Sequence, residues 1–161
     1  MHFLAPGIQS AKVTCEHWST PQRFVALGGP LGADVGEEDR LTAENLALAM
    51  EESFPDLASD LQKVADEWDP LPPLYMEVGA ILTPQVVNAA HADDDARLHD
   101  LGVFMERMAN SSDRRIRDAL THAFAFIGDD RPALERARKA MGPETLALSI
   151  QIETHWGREP G

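Results

Sequence analysis

The clearest helical pattern in this chain is DDDARLHDLGVFMERM, residues 93–108. Three aspartates open it, where carboxylates favour the positive end of a helix dipole. Apolar residues follow at the three- and four-residue spacing of one helix face. Similar apolar faces recur from Thr42 onward, separated by proline, glycine and capping residues. No alternation of strands with helices is visible, which argues against a parallel sheet, and the sequence predicts an all-α fold.

The predicted helical domain covers residues 42–161 and contains six or seven helices with short connections. Such helices pack either as a compact bundle or as a short solenoid-like stack. Thr42 is the expected N-cap of the first helix, and Ser111 or Ser112 is the expected cap of a later one. Pro84 is expected to kink or split the third helix, because proline removes a backbone hydrogen bond.

The first 41 residues differ from the rest of the chain. Residues 12–18 and 23–27 are short β-like runs, which predict either a hairpin or an irregular arm. The glycine-rich residues 28–39 indicate a linker. Cys15 and His17 lie in this arm, but no orienting acid or oxyanion motif accompanies them. We therefore interpret Cys15 as a structural or incidental cysteine.

Composition favours one ordinary globular domain. The chain has 161 residues, of which 43% are apolar and 25% are charged. A single cysteine cannot form an intrachain disulfide, which fits a reducing cytoplasm. The first residues lack the basic and apolar regions of a signal peptide. No apolar run reaches the ~20 residues that a bilayer span requires. The sequence therefore predicts a cytoplasmic protein that does not enter membranes.

The negative charge is concentrated in one segment. The formal net charge is −13, and residues 34–69 contain twelve acids against two bases, whereas residues 111–161 contain eight of each. Phosphates would repel this segment, which argues against nucleic acid and anionic membranes as partners. An acidic surface instead favours a basic protein partner, because complementary charge speeds association and fixes the docking orientation.

The first two predicted helices carry this charge opposite their apolar residues. In the first helix the glutamates face away from Leu46 and Met50. The simpler interpretation is a solvated face that keeps the protein soluble. The functional interpretation is a docking surface for a basic protein, such as a toxic nuclease with a cationic groove. The candidate contacts are Glu44, Glu51, Glu52, Asp56, Asp60 and Glu67.

A second function class is a metal-dependent helical hydrolase that uses His91, Asp94, His99 and His122. The spacing of His91 and His99 does not place them on one helix face, where ligands lie three or four residues apart. Neither an HExxH motif nor a cysteine pair is present. We therefore assign no catalytic residue, metal or cofactor from the sequence, and expect a non-enzymatic binding protein.

The last predicted helix, from Glu144 to about Trp156, has apolar residues around most of its circumference. One interpretation is a central helix that is buried on several sides. The other is a scaffold or regulatory subunit that forms a homodimer through this helix, since leftover apolar surface marks interfaces. Exchange of Ile152 for glutamate would distinguish a dimer from a monomer.

Three stretches carry a resemblance to a known class of proteins. They are LGVFMERM (101–108), IRDAL (116–120) together with Phe124, and MGPET (141–145). Over residues 42–156 the chain resembles small, acidic, all-helical bacterial proteins that are similar to the immunity proteins of polymorphic toxins. The resemblance implies a non-enzymatic role, in which the protein binds a cognate toxin and blocks its active site. It assigns no individual binding residue.

Overall fold

The structure is a computed structural model that describes residues 40–67 and 74–158. Within these ranges every regular element is a helix, which confirms the all-α prediction. The predicted hairpin at residues 12–27 lies outside them. A short 3-10 turn, Pro55–Leu57, separates the first two of seven α-helices. These are α1 (Leu46–Ser53), α2 (Ala58–Glu67), α3 (Leu74–His91), α4 (Asp95–Ala109), α5 (Arg114–Ile127), α6 (Arg131–Arg138) and α7 (Pro143–His155).

The helices form a bundle around α3. This helix packs along α5 and also contacts α4 and α6, while α4 and α5 both contact α7. In a solenoid each repeat contacts only its neighbours in sequence, so the contacts favour the bundle. Met50, Leu82, Phe104 and Leu120 lie fully buried at its centre. No helix in the described ranges is long and apolar enough to cross a membrane.

Helix α4 folds as its sequence predicts. The Asp94 side chain caps it by accepting a hydrogen bond from the Arg97 backbone N–H at 2.9 Å. The ring of Phe104 meets Phe54 edge to face, with the centroids 5.5 Å apart. This contact joins α4 to the end of α1. The predicted apolar stripe is entirely buried, and it consists of Leu98, Leu101, Phe104, Met105 and Met108.

The first helix starts later than predicted. Thr42 is not its N-cap, because α1 begins only at Leu46. The Thr42 backbone N–H instead donates to the side-chain oxygen of Asn45 at 2.7 Å. This local bond stabilises a turn and competes with a helical start. Pro84 was expected to kink or split α3, and the split does not occur, since the helix continues through Pro84.

The cap of α5 differs from the prediction too. Asp113 caps it by accepting from the Arg115 backbone N–H at 3.0 Å. Ser111 does not serve as the cap, because its buried hydroxyl donates to the Leu41 carbonyl at 2.8 Å. The Asp113 carboxylate also accepts from the Ala43 backbone N–H at 2.9 Å. The loop before α5 therefore holds the start of the domain in place, a long-range contact that sequence spacing does not reveal.

Two glycines permit close packing around the α6–α7 connection. A Cβ on Gly102 of α4 would overlap the backbone carbonyl of Ala140. A Cβ on Gly142 would overlap the carboxylate of Glu106. These glycines lie in two of the three stretches that carry the family resemblance. Their role there is to let α4 approach the α6–α7 connection.

Three of the four buried residues of α7 are polar. Thr145, Ser149 and Glu153 are all buried, with exposures of 0%, 1% and 2%. Residues four apart lie on one helix face, so the three form one stripe. Their partners come from three other segments of the domain. The contacts are Thr145 with Glu106, Ser149 with Arg138, and Glu153 with Arg131 and Arg158.

Some apolar residues of α7, and Trp156 directly after it, lie in solvent. Ile150 is 38% exposed and Trp156 is 61% exposed, and Ala147 is exposed as well. Ile152, by contrast, is buried at 9%. The prediction of apolar contact around most of the helix is therefore only partly correct. Substitution of Ile152 would disturb the core, so Ile150 is the position that tests a dimer.

Candidate partner-binding surface

The six predicted contact residues do not form one uniform acidic face. Three of them already hold a cation of the same domain. Glu44 accepts from Arg115 at 2.7 Å, Asp56 from Arg97 at 2.8 Å, and Asp60 from Lys63 at 2.7 Å. The other three are Glu51, Glu52 and Glu67. Within the described ranges, none of these three takes part in an ion pair.

Asp56 lies in a structural contact rather than in an open acidic face. Arg97 of α4 reaches it through both terminal nitrogens, at 3.2 and 2.8 Å. The same guanidinium donates to the Gln85 side chain at 3.2 Å and lies 4.7 Å above the Phe54 ring. Such a fork is well suited to planar carboxylates. Arg97 therefore ties the 3-10 turn to α3 and α4.

Glu44 likewise pairs with an arginine from another element, Arg115 at the start of α5. Arg115 donates both to Glu44 and to Asp113, in each case at 2.7 Å. The hydrogen bond from Arg115 lowers the pKa of Glu44. The bonds from Arg115 and from the Ala43 backbone N–H lower the pKa of Asp113 to about 2. All three side chains are thus charged at neutral pH, and Arg115 offsets one of the two negative charges.

The unpaired acids of α1 lie around an exposed leucine. Leu48 is 58% exposed, although it belongs to the same helix as the fully buried Leu46 and Met50. At about 100° per residue, Leu48 falls between Glu51 and Glu52 on the helix circumference. Both glutamates are exposed. We call Leu48, Glu51 and Glu52 the α1 surface.

Asp60 and Glu67 belong to a different surface. Both line a groove between α2 and α3, together with Lys63 of α2. Asp60 is partly buried there, while Glu67 is exposed. The acidic segment therefore presents two separate features, which are the α1 surface and this groove.

The histidines of the hydrolase alternative have other contacts. His91 lies 2.7 Å from Asp130, the residue that caps α6. Asp94 caps α4, and His122 stacks edge to face between Tyr75 and Phe126 at 5.1 and 5.3 Å. Among residues 40–67 and 74–158, no three histidine, cysteine or acidic side chains converge as metal ligands. The geometry therefore gives no support to a metal centre at this cluster.

Sequence reasoning missed Leu48. The residue lies outside the apolar stripe of α1, two positions after Leu46, and its neighbours on the circumference are acidic. A leucine among acidic residues, outside the apolar stripe, is the feature of the sequence that indicates an exposed apolar residue. Glu153 was also missed, because an acid between apolar residues of a helix is normally taken as solvent-facing. Its burial follows from arginines on other elements, which the local pattern does not show.

Comparison with known proteins identifies a family but no activity. No curated protein and no solved structure matches the chain. One family model, described as a domain of unknown function (DUF7674), matches residues 47–157. The match begins in α1 and extends just past α7, so it includes all seven helices of the bundle. The chain therefore belongs to the DUF7674 family.

Proposed function

We propose that this domain binds a basic protein through the α1 surface. The observation that carries the proposal is the 58% exposure of Leu48 between two glutamates that no described cation neutralises. Interfaces commonly combine an apolar contact with a charged rim. Leu48 supplies the apolar contact, and Glu51 and Glu52 supply the charge that attracts and orients the partner.

The overall charge supports a basic partner. Residues 34–69 contain twelve acids and two bases, so a cationic protein is attracted from a distance while anionic surfaces are repelled. A toxin with a cationic substrate groove has the required chemistry. Occupation of such a groove would neutralise the toxin, as an immunity protein does. The single cysteine supports a cytoplasmic site of action. The proposal assigns no catalytic residue and no cofactor.

The test is capture of the partner from the native cell at low and at high salt, followed by measurement of association rates with the purified pair. Leu48→Ser should weaken binding by increasing dissociation, because an apolar contact is lost. Glu51→Lys should slow association and flatten its dependence on salt. Asp100→Lys is the matched control, since Asp100 is an exposed carboxylate on α4.

One pattern of results would support the proposal and two would contradict it. Support requires one basic protein whose binding is weakened by both α1 variants and unchanged by Asp100→Lys. Equal effects of Glu51→Lys and Asp100→Lys would show that only net charge matters. Normal binding by Leu48→Ser together with Glu51→Lys would place the interface elsewhere.

A second candidate function is self-association through α7, and the exposure of Ile150 and Trp156 favours it. Residues 111–161 contain equal numbers of acids and bases, so two copies would not repel each other there as they would at α1. The mass of the protein in solution tests this candidate. A dimer that dissociates in Ile150→Glu would support it, and a monomeric wild type would exclude it.

A further inference from the structure

A groove of about 250 Å³ runs between α2 and α3. Val64 and Ile81 line it, and both pack on the apolar core, Val64 being partly and Ile81 almost fully buried. Ala80 and Pro84 line it as well and are exposed. Four of the eight lining residues are thus apolar, and the other four are Asp60, Lys63, Glu67 and Gln85.

Two carboxylates line the groove, beside one lysine and one glutamine. Asp60 and Glu67 line it from α2, two helical turns apart. On the α3 side, Pro84 has no amide proton, so the Ala80 carbonyl lacks the donor that normally lies four residues later. The residues that line the groove therefore include two carboxylates, on Asp60 and Glu67, and Ala80, whose carbonyl lacks its helical donor.

Lys63 is the cation that lines this groove, and its hold on the acceptors is weak. It contacts Asp60 at 2.7 Å, and its side chain is 69% exposed. The hydrogen bond that Lys63 donates to Asp60 raises the pKa of Lys63, so the lysine stays charged. Exposed pairs three residues apart contribute little to stability. A second cation can therefore displace Lys63 from Asp60.

We infer that this groove receives an arginine side chain of the basic partner. The methylene stem would lie along the apolar lining, as long cationic side chains do on apolar surface. The guanidinium would donate to Glu67, to Asp60 and to the Ala80 carbonyl. Its five N–H groups suit several acceptors at once, whereas a lysine offers a single compact charge. The inference rests on the proposed function only in that the partner is basic.

The test uses a small probe, so it does not depend on the identity of the partner. The ¹⁵N-labelled wild-type protein is titrated with N-acetyl-arginine N′-methylamide while backbone amide shifts are recorded. The citrulline analogue, which has the same shape without the charge, is the matched probe. Saturable shifts at residues 60–67 and 80–85 with arginine, and none with citrulline, are the expected result.

Two groove variants should change the affinity for the probe in opposite directions. Glu67→Gln removes a charge-assisted hydrogen bond and should weaken binding about tenfold. Lys63→Gln removes the competing cation and should strengthen binding about two- to threefold. Glu51→Gln on α1 removes the same charge as Glu67→Gln but lies outside the groove, and should leave the affinity unchanged.

Two results would overturn the inference. One is equal binding of the arginine and citrulline probes. The other is an equal loss of affinity in Glu67→Gln and Glu51→Gln, which would indicate diffuse attraction by the acidic segment. Neither result would contradict the proposed binding through the α1 surface, because Leu48→Ser and partner capture test that proposal separately. Loss of partner binding in Leu48→Ser with no arginine site would retain the proposed function and reject the groove.

Discussion

The carboxylate of Glu106 accepts two hydrogen bonds from Thr145, one from its backbone N–H at 2.9 Å and one from its hydroxyl at 2.7 Å. It also accepts from the Glu144 backbone N–H at 3.1 Å. The α4 side chain thereby satisfies the free N–H groups at the start of α7, which have no partner within their own helix. This contact fixes where the last helix begins.

Substitution of Glu106 should therefore destabilise the domain in a pH-dependent way. Burial opposes ionisation of Glu106, but hydrogen bonds from Thr145, Glu144 and Asn110 outweigh it and lower its pKa. The stabilisation is present above the unfolded pKa of about 4.3 and is lost as pH falls through the lower folded pKa. We expect Glu106→Gln to cost about 1–3 kcal/mol at pH 7. Urea unfolding at pH 7 and pH 3 measures this, and an equal cost at both values would contradict it.

Gly102→Ala should destabilise the domain because the new methyl group would overlap the Ala140 carbonyl. Overpacking of this kind costs about 1–3 kcal/mol. Gly79→Ala is the matched control, since a Cβ at this position in α3 meets no atom within 4 Å. There the better helix propensity of alanine should stabilise by about 0.5–1 kcal/mol. Thermal unfolding of both variants checks the opposite signs, and stabilisation by Gly102→Ala would show that α4 and Ala140 separate readily.

Asp113→Asn should reduce stability mainly above pH 4. Hydrogen bonds from Arg115 and Ala43 lower the pKa of Asp113 to about 2, below its unfolded value of about 3.9. The ionised carboxylate therefore stabilises the fold at neutral pH, and this contribution disappears between about pH 4 and pH 2. Asparagine can still accept the Arg115 backbone N–H, so the loss is that of the carboxylate charge at the cap, and it should cost about 1 kcal/mol at pH 7. Melting curves from pH 7 to pH 2 should converge with those of the wild type.

The control for Asp113 is Asp118→Asn on the same helix. Asp118 is 67% exposed and lies 3.5 Å from Arg114. Pairs of this kind contribute at most about 0.5 kcal/mol. A cost at Asp118 equal to that at Asp113 would attribute the effect to general charge rather than to the cap.

Glu153→Ala should be the most damaging of these substitutions. Its carboxylate is 2% exposed and pairs with Arg131 and with Arg158 at 3.6 Å. Its removal leaves the buried terminal nitrogens of Arg131 and Arg158 with the exposed acids Glu135 and Asp129, and loss of a buried partner costs about 3–5 kcal/mol. Glu135→Ala, at a site that is 58% exposed, should cost less than 1 kcal/mol. Chemical denaturation compares the two, and equal costs would mean that the Glu153 pairs are not maintained.

The sequence pattern predicts the apolar side of this fold well. The stripes of α4 and α5 are buried as expected, because helical spacing of apolar residues depends only on local order. The caps of α1 and α5 were predicted wrongly. Near α1, the Asn45 side chain bonds to Thr42 within one turn. Before α5, Asp113 bonds to Ala43, which lies 70 positions away in the sequence.

The acidic surface was predicted as one face of two neighbouring helices. Charge counting finds the segment, but the cations that pair with Glu44 and Asp56 come from α5 and α4. Those partners are remote in sequence, so spacing could not separate paired acids from free ones. The burial of the polar residues of α7 was missed for the same reason. Its arginine partners lie on α6 and beyond the end of α7.

The polar stripe of α7 has a consequence for register. An apolar helix face loses little contact area when it slides by one turn, so its position is weakly specified. Hydrogen bonds and ion pairs at Thr145, Ser149 and Glu153 are directional, and a shift by one turn would break all three contacts at once. Insertion of a single alanine before Ser149 would therefore be far more disruptive than its volume suggests. The last helix has one permitted alignment, which also determines where Ile150 and Trp156 emerge.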